Sequence, residues 1–269
     1  MDLQGLEFLV PYHFLHHFHL DSFRGGINNR QSKLLKQIEK EAVRVFWEEA
    51  FGGKSYGSKH LFRVNRIAGH LWEREGGDEF VVLAGAWVHD VSLVQGDDND
   101  PAGVAAFTRY FLKQFEGLSV DEIDRVVECA RGHEIGCKGL SLEAKIVHDA
   151  DVVDKSGMLG VIRHVWKMTN MLESKILNKE DALKKLGAHL RERESKLFTS
   201  TAKNLVRNLS RFRDLFFKDK QFALKTITWI SNLAYQGVIT DEIAERLLLK
   251  NHHQSIHILK DQLSCNYLR

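Results

Sequence analysis

Proline is nearly absent from this chain. Pro11 and Pro101 are the only two in 269 residues, and proline is the residue that breaks helix interiors. Long segments therefore run without a break, and their apolar residues recur at helical spacing. Leu34 to Glu49 carries Leu34, Leu35, Ile38, Ala42, Val45 and Phe46 in that register. Ser58 to Glu75 predicts a second helix, with Leu61, Val64, Ala68, Leu71 and Trp72 on one face and Gly76-Gly77 after it. Glu79 to Val91 is apolar nearly all round, which predicts a central buried helix. After the loop "VQGDDNDPAG", Ala102 to Phe115 is helical again. "SVDE" at 119–122 is a capping box that opens a helix through Ile123, Val126, Val127 and Ala130. Ser141 to about Met158 predicts another. From Lys179 onward the pattern stays helical, with one break at "YQGVIT". No stretch shows strand alternation, so the expected fold class is all-α. Loops at "FRGGINNRQS" and "FGGKSYGSK" and a shift near Asp219 divide the chain into an N-terminal helical extension (1–50), a central domain (51–218) and an appended C-terminal helical region (219–269).

Composition narrows the function classes. The hydrophobic fraction of 43% suits a globular core. No run of about 18 apolar residues exists to span a membrane. The N-terminal "MDLQGLEFLVPYHFLHHFHLDSF" lacks a basic start and a small-residue cleavage site, so it does not read as a leader. Cys129, Cys137 and Cys265 have no knuckle spacing and are odd in number, which suits a reducing, cytoplasmic setting. The net charge is only +2, but Glu73 to Asp154 is acidic and Lys155 to Lys220 is basic. The basic stretch includes Lys184, Lys185, Arg191, Arg193, Lys203, Arg207, Arg211 and Arg213. Such helices either form a solvated face or attract an anionic substrate. No aromatic-interleaved groove or nucleic-acid motif occurs, so nucleic acid is not an expected partner.

The tripeptide Val-His-Asp occurs twice, at 88–90 and at 147–149. The first follows the apolar "VVLAGAWV", which puts His89 and Asp90 at the C-terminal end of a core helix. There they are either a helix-end hydrogen-bonded pair or rigidly held ligands. In the second, residues 147, 151 and 154 share a helix face, so Asp151 and Asp154 project together. Asp149 lies about 200° around the helix from Asp151. Asp151 is therefore the better ligand, and Asp149 is expected to be dispensable for metal binding. His148, three residues before Asp151, remains a neighbour. His60 opens the "HLFRVNRIAGHL" helix at the edge of its apolar face, and His133 follows Ala130 on an inward face. The closely spaced His13, His16, His17 and His19 read as an aromatic-rich packing segment rather than a second metal site.

The order "SKHLFRV", "LAGAWVHDV", "RGHE" and "EAKIVHDADVVDKSGMLGVIR" resembles the HD-domain superfamily of metal-dependent phosphohydrolases. It is most similar to small stand-alone bacterial and archaeal members, some of which are nucleotide pyrophosphatases. The likeness covers about residues 55–217. It implies an HD-domain helical bundle with a divalent metal on His60, His89, Asp90 and Asp151. It also implies that His133 contacts substrate phosphate or bound water, that Asp154 and Lys155 face a nucleotide, and that Arg63 touches phosphate. Tyr56 and Gly57 replace a His-Asp pair common in near relatives, and "YHFLHHFHL" and the last 50 residues have no counterpart. The implied chemistry is hydrolysis of a phosphoester or phosphoanhydride by a metal-activated water, with His133 as a proton-handling group and Arg63 and Lys155 stabilising negative charge. The donor set suits Mn²⁺, Mg²⁺, Fe²⁺, Ni²⁺ or Co²⁺. The implied partner is a small-molecule phosphate ester such as a nucleotide, with a homodimer as one option. Two other readings stand beside this one. A dinuclear-iron HD oxygenase would recruit His133 and His148, and a non-catalytic regulatory module would bind metal or nucleotide without turnover.

Overall fold

Helix is the only regular secondary structure among the described residues of the computed structural model, which are 26–48, 59–95, 100–132, 139–170 and 179–268. The all-α expectation holds. In chain order the helices are α1 (Asn29–Glu48), α2 (Lys59–Glu75), α3 (Glu79–Val88), α4 (Pro101–Leu112), α5 (Val120–Gly132), α6 (Leu142–Asp154), α7 (Gly157–Asn170), α8 (Lys179–Ser195), α9 (Ser200–Lys218), α10 (Lys220–Tyr235), α11 (Thr240–Lys250) and α12 (Gln254–Ser264). Short 3₁₀ turns follow α3 at Val91–Gln95 and α12 at Asn266–Leu268. No helix among these residues is long and apolar enough to cross a membrane. His13, His16, His17, His19, Tyr56, Gly57, His133 and Cys137 lie outside the described residues.

Local chemistry sets the boundaries. Asp78 caps α3 by accepting from the Val81 N–H at 3.2 Å. Asp100 caps α4 by accepting from Ala102 and Gly103, with Pro101 in the first turn, where its missing N–H costs nothing. The capping box forms as expected. Glu122 N donates to Ser119 Oγ at 3.2 Å, and Ser119 N donates to Glu122 Oε2 at 2.9 Å. Several spans differ from the sequence reading. The stretch from Lys179, read with one break, also breaks at 196–199 and 251–253, and the helix expected to reach Phe115 stops at Leu112. The helix expected over 79–91 stops at Val88, and His89-Asp90 form a turn before the 3₁₀ segment. The helix expected to reach Met158 stops at Asp154. Gly157, at φ +61°, then turns the chain into α7, an element to which the sequence reading gave no place of its own.

All ten residues of α3 are buried. Burial of side chains such as Phe80, Leu83 and Val88 contributes roughly 1.5–3 kcal/mol each, which makes α3 a rigid central spine. Its neighbours approach closely at Gly85. A Cβ there would lie 2.6 Å from Cys129 Cβ on α5 and 3.2 Å from Val147 Cγ2 on α6. α6 is nearly as enclosed, with every residue from Ile146 to Asp154 buried.

The C-terminal helices join the same core, which runs as one cluster from Leu34 to Leu268. Gln262 on α12 bridges two backbone groups at the α6–α7 junction. It donates to Ser156 O at 2.9 Å and accepts from Leu159 N at 3.2 Å. Trp166 Nε1 on α7 donates to Val238 O at 2.9 Å. At 219, where the sequence reading placed a region boundary, Asp219 follows α9 directly and caps α10 by accepting from Phe222 N at 3.0 Å.

Gly85→Ala inserts a methyl group where three helices meet. Its expected effect is a loss of about 1–3 kcal/mol, read as a lower denaturant midpoint with an unchanged slope.

Candidate metal centre

Two helices and one turn supply the centre. α2 presents His60 from its first turn, α6 presents Asp151, and the turn after α3 presents His89 and Asp90 together. His60, His89 and Asp151 are 0% exposed and Asp90 is 2% exposed. His60 Nε2 lies 3.3 Å from His89 Nε2. It lies 3.4 Å from Asp90 Oδ2 and 3.4 Å from Asp151 Oδ1. His89 Nε2 lies 3.4 Å and 3.6 Å from the same two oxygens.

The far sides of the two rings decide what these atoms are. His60 Nδ1 is 2.7 Å from Asp154 Oδ2, and His89 Nδ1 is 2.8 Å from the Ala86 carbonyl oxygen. An ionised carboxylate and a carbonyl only accept, so each Nδ1 carries the ring proton. The second nitrogen of each ring, Nε2, points toward the other ring and toward two carboxylate oxygens. Two nitrogens and two carboxylate oxygens thus converge in a buried cluster whose chemistry suits a cation. His60, His89 and Asp151 each offer a donor atom within 4.8 Å of the others, so the residues fit a divalent ion.

The electrostatics follow from the same geometry. Burial by itself would lower the His89 pKa, but Asp90 and Asp151 outweigh it and carry it up to about 10. Burial by itself would raise both carboxyl groups. His89 and Lys155 instead hold Asp90 well below the usual range, and Lys155 with the two histidines does the same for Asp151. Lys155 Nζ lies 2.7 Å from both Asp151 oxygens, and Arg193 Nη2 on α8 lies 3.2 Å from Asp151 Oδ2. A proton on His89 and these two cations supply positive charge to the acceptor cluster. A divalent ion would displace that proton.

His60, His89, Asp90, Asp151 and Lys155 thus come together. Arg63 and Asp154 do not face outward toward a phosphate as the sequence reading expected. Arg63 is 4% exposed and Asp154 2% exposed. They form a buried ion pair behind the His60 ring, with Arg63 Nε 2.6 Å from Asp154 Oδ1. The one-turn spacing from His60 to Arg63 placed both on the same face, but that face is packed against α6 and α11. His148 also turns away. Its Nδ1 is 3.1 Å from Asp149 Oδ1, and its ring packs edge-on against Phe198 at 5.0 Å. Asp149 accepts from Thr199 N and Thr199 Oγ1, each at 2.7 Å, and from Phe198 N at 3.0 Å. It ties α6 to the start of α9. Two residues at the centre or behind it escaped the sequence reading as site residues. Arg193 was one cation in a basic run, and Asp241 had no local signal at all.

Residues 57–156 match the family model of the HD domain. The chain carries an HD domain. The HD domain is characteristic of a superfamily of metal-dependent phosphohydrolases. Bacillus subtilis YpgQ is 31% identical over 139 residues, which are 49% of this chain and 66% of that protein, just under two thirds of its length. Among solved structures, a Lactobacillus plantarum protein superposes with a TM-score of 0.57 at 24% identity, covering 70% of this chain and 95% of the other. YpgQ gives 0.57 at 23% identity, over 73% and 98%. YpgQ in complex with ADP gives 0.53 at 22% identity, over 76% and 96%. At these identities the structures show a shared fold.

Two buried aspartates with different partners should separate cleanly. Asp90→Ala is expected to purify without divalent metal and without activity, and metal analysis showing a full complement would remove Asp90 from the site. Asp149→Ala should keep the wild-type metal content per folded chain but lose about 3 kcal/mol of stability, because buried N–H and O–H donors are left unmatched.

Proposed function

We propose that this HD protein is a divalent-metal-dependent phosphohydrolase that acts on a nucleotide through an activated water. One observation carries the reading: two imidazoles with their Nδ1 protons fixed and two buried carboxylates converge their acceptor atoms beside Lys155 and Arg193. When bound, a divalent ion supplies Lewis acidity to a phosphoryl oxygen and lowers the pKa of a water molecule. The mixed nitrogen and oxygen donors suit Mn²⁺, Mg²⁺, Fe²⁺, Ni²⁺ or Co²⁺.

The chain's own groups divide the remaining work. His60 and His89 hold their lone pairs inward because Asp154 and Ala86 O fix the outer ring protons. Asp90 and Asp151 supply two negative charges that stay ionised through the neutral range. Lys155 and Arg193 reach the solvent side of the centre, with side chains 19% and 14% exposed. With a divalent ion held at Asp151, Lys155 and Arg193 would be available to hold the oxygens of a phosphate, where negative charge develops during hydrolysis. His133 follows α5 directly in sequence. Its proton-handling role rests on the resemblance to HD relatives.

The ADP bound to YpgQ supports a nucleotide as the substrate class. The placement of His148 against Phe198 and Asp149 favours hydrolysis over dinuclear-iron oxygenation, because it removes one of the two extra histidines that reading needs.

A panel of nucleoside mono-, di- and triphosphates with each divalent metal tests the reading. The expected result is metal-dependent phosphate or pyrophosphate release that a chelator abolishes. Lys155→Ala and Arg193→Ala should each lower kcat/KM by about 10²-fold. Bound metal with no turnover across the panel would instead support a binding module.

A further inference from the structure

Asp241 lies outside the HD segment of 57–156, in the first turn of α11, yet it joins the charge network behind the metal ligands. The network has four links. His60 Nδ1 meets Asp154 Oδ2 at 2.7 Å. The Arg63 fork grips the same carboxylate, with Nε 2.6 Å from Oδ1 and Nη2 3.3 Å from Oδ2. The remaining arm of that fork, Nη1, donates to Asp241 Oδ1. Arg163 on α7 approaches Asp154 Oδ2 at 3.8 Å. Every member is closed to water: His60 is 0% exposed, Asp154 2%, Arg63 4%, Asp241 1% and Arg163 3%.

We infer that Asp241 is a positioning residue for His60, so that the C-terminal helices complete the metal centre from behind. The inference rests on the reading that the centre holds a divalent ion. A carboxylate torsion is soft, so the His60–Asp154 hydrogen bond does not by itself fix which way the ring points. Arg63 supplies that constraint, because its planar fork engages both Asp154 oxygens at once. Arg63 can do so only while its third contact is also satisfied. Asp154 and Asp241 share the Arg63 guanidinium between them. Without the Asp241 charge, Arg63 draws more strongly on Asp154 and pulls it from His60 Nδ1. The ring then loses the partner that keeps its Nε2 lone pair directed inward.

The same two helices carry a second, exposed ion pair, Lys59 Nζ to Glu245 Oε1 at 2.9 Å, with side chains 42% and 51% exposed. It joins α2 to α11 without reaching the His60 ring. α11 also docks through Leu247, which is 1% exposed. These contacts separate holding α11 in place from holding His60 in place.

The test is Mn²⁺ affinity of the full chain, measured by competition with a chelating dye. Asp241→Asn is expected to weaken Mn²⁺ binding by about 10- to 100-fold. Leu247→Ala should lower Tm and leave the affinity of the folded protein unchanged, and Glu245→Gln should change neither appreciably. Wild-type affinity in Asp241→Asn would overturn the inference, as would an equal loss in Leu247→Ala, which would reduce Asp241 to a docking contact. If Asp241→Asn does not fold, the pair Arg63→Met with Asp241→Leu removes both charges at similar volume, a replacement that buried ion pairs commonly tolerate. That variant should fold and bind Mn²⁺ weakly, and tight binding by it would overturn the inference. A wild-type chain that binds no divalent ion at all would sink the metal reading itself, which is a different failure.

Discussion

Four metal-ligating side-chain atoms converge in the interior of this protein. Two are imidazole nitrogens and two are carboxylate oxygens, and their separations run from 3.3 to 3.6 Å. Such a cluster is unfavourable in a dry core unless positive charge is supplied. The rest of the structure is arranged to hold it. α3 contributes the rigid end on which His89 and Asp90 sit, and its enclosure by α1, α2, α5 and α6 leaves that end little freedom. The Ala86 carbonyl and Asp154 then fix the two rings. Lys155 and Arg193 bring charge from the side that still reaches solvent.

α6 shows how one helix serves three purposes. Successive residues turn about 100°, so Asp149 faces away from Asp151, while Asp154 returns within about 60° of it. Asp149 accordingly meets the backbone at the start of α9, Asp151 meets the acceptor cluster, and Asp154 meets His60 and Arg63. Each of the three buried carboxylates has its own compensation, of a different kind. Asp149 has backbone and hydroxyl donors, Asp154 has guanidinium groups, and Asp151 has Lys155, Arg193 and the centre itself. The two Val-His-Asp tripeptides look alike and do different things, because the turn after α3 aims His89 and Asp90 at the centre, whereas inside α6 His148 and Asp149 meet each other and the start of α9.

The helices, their caps and the outline of the ligand set were legible in the sequence. Periodic apolar spacing, the Ser119–Glu122 capping box and the scarcity of proline are local signals with local causes, and they foretold most elements to within a few residues. α7 was missed as a distinct element because the preceding helix was read as running through Gly157 to about Met158, whereas the positive φ of Gly157 lets the chain turn there. Asp151 could be preferred over Asp149 because helical geometry alone separates their directions. Arg63 could be placed on the His60 face, but what covers that face could not.

By itself, then, the sequence determined the helical class and the central apolar spine, which follow from residue chemistry and a fixed helical repeat, and its resemblance to HD-domain proteins pointed to the donors at 60, 89, 90 and 151. Only the tertiary structure decided which charged groups look outward and which look inward. Lys155 and Arg193 ended at the open side of the centre, Arg63 and Asp154 ended behind it, and Asp241 reached them from a helix 178 residues away in sequence from Arg63. That outcome depends on how α8 and α11 dock. The partners of a buried charge are chosen by packing across long sequence separations, and no local pattern records them.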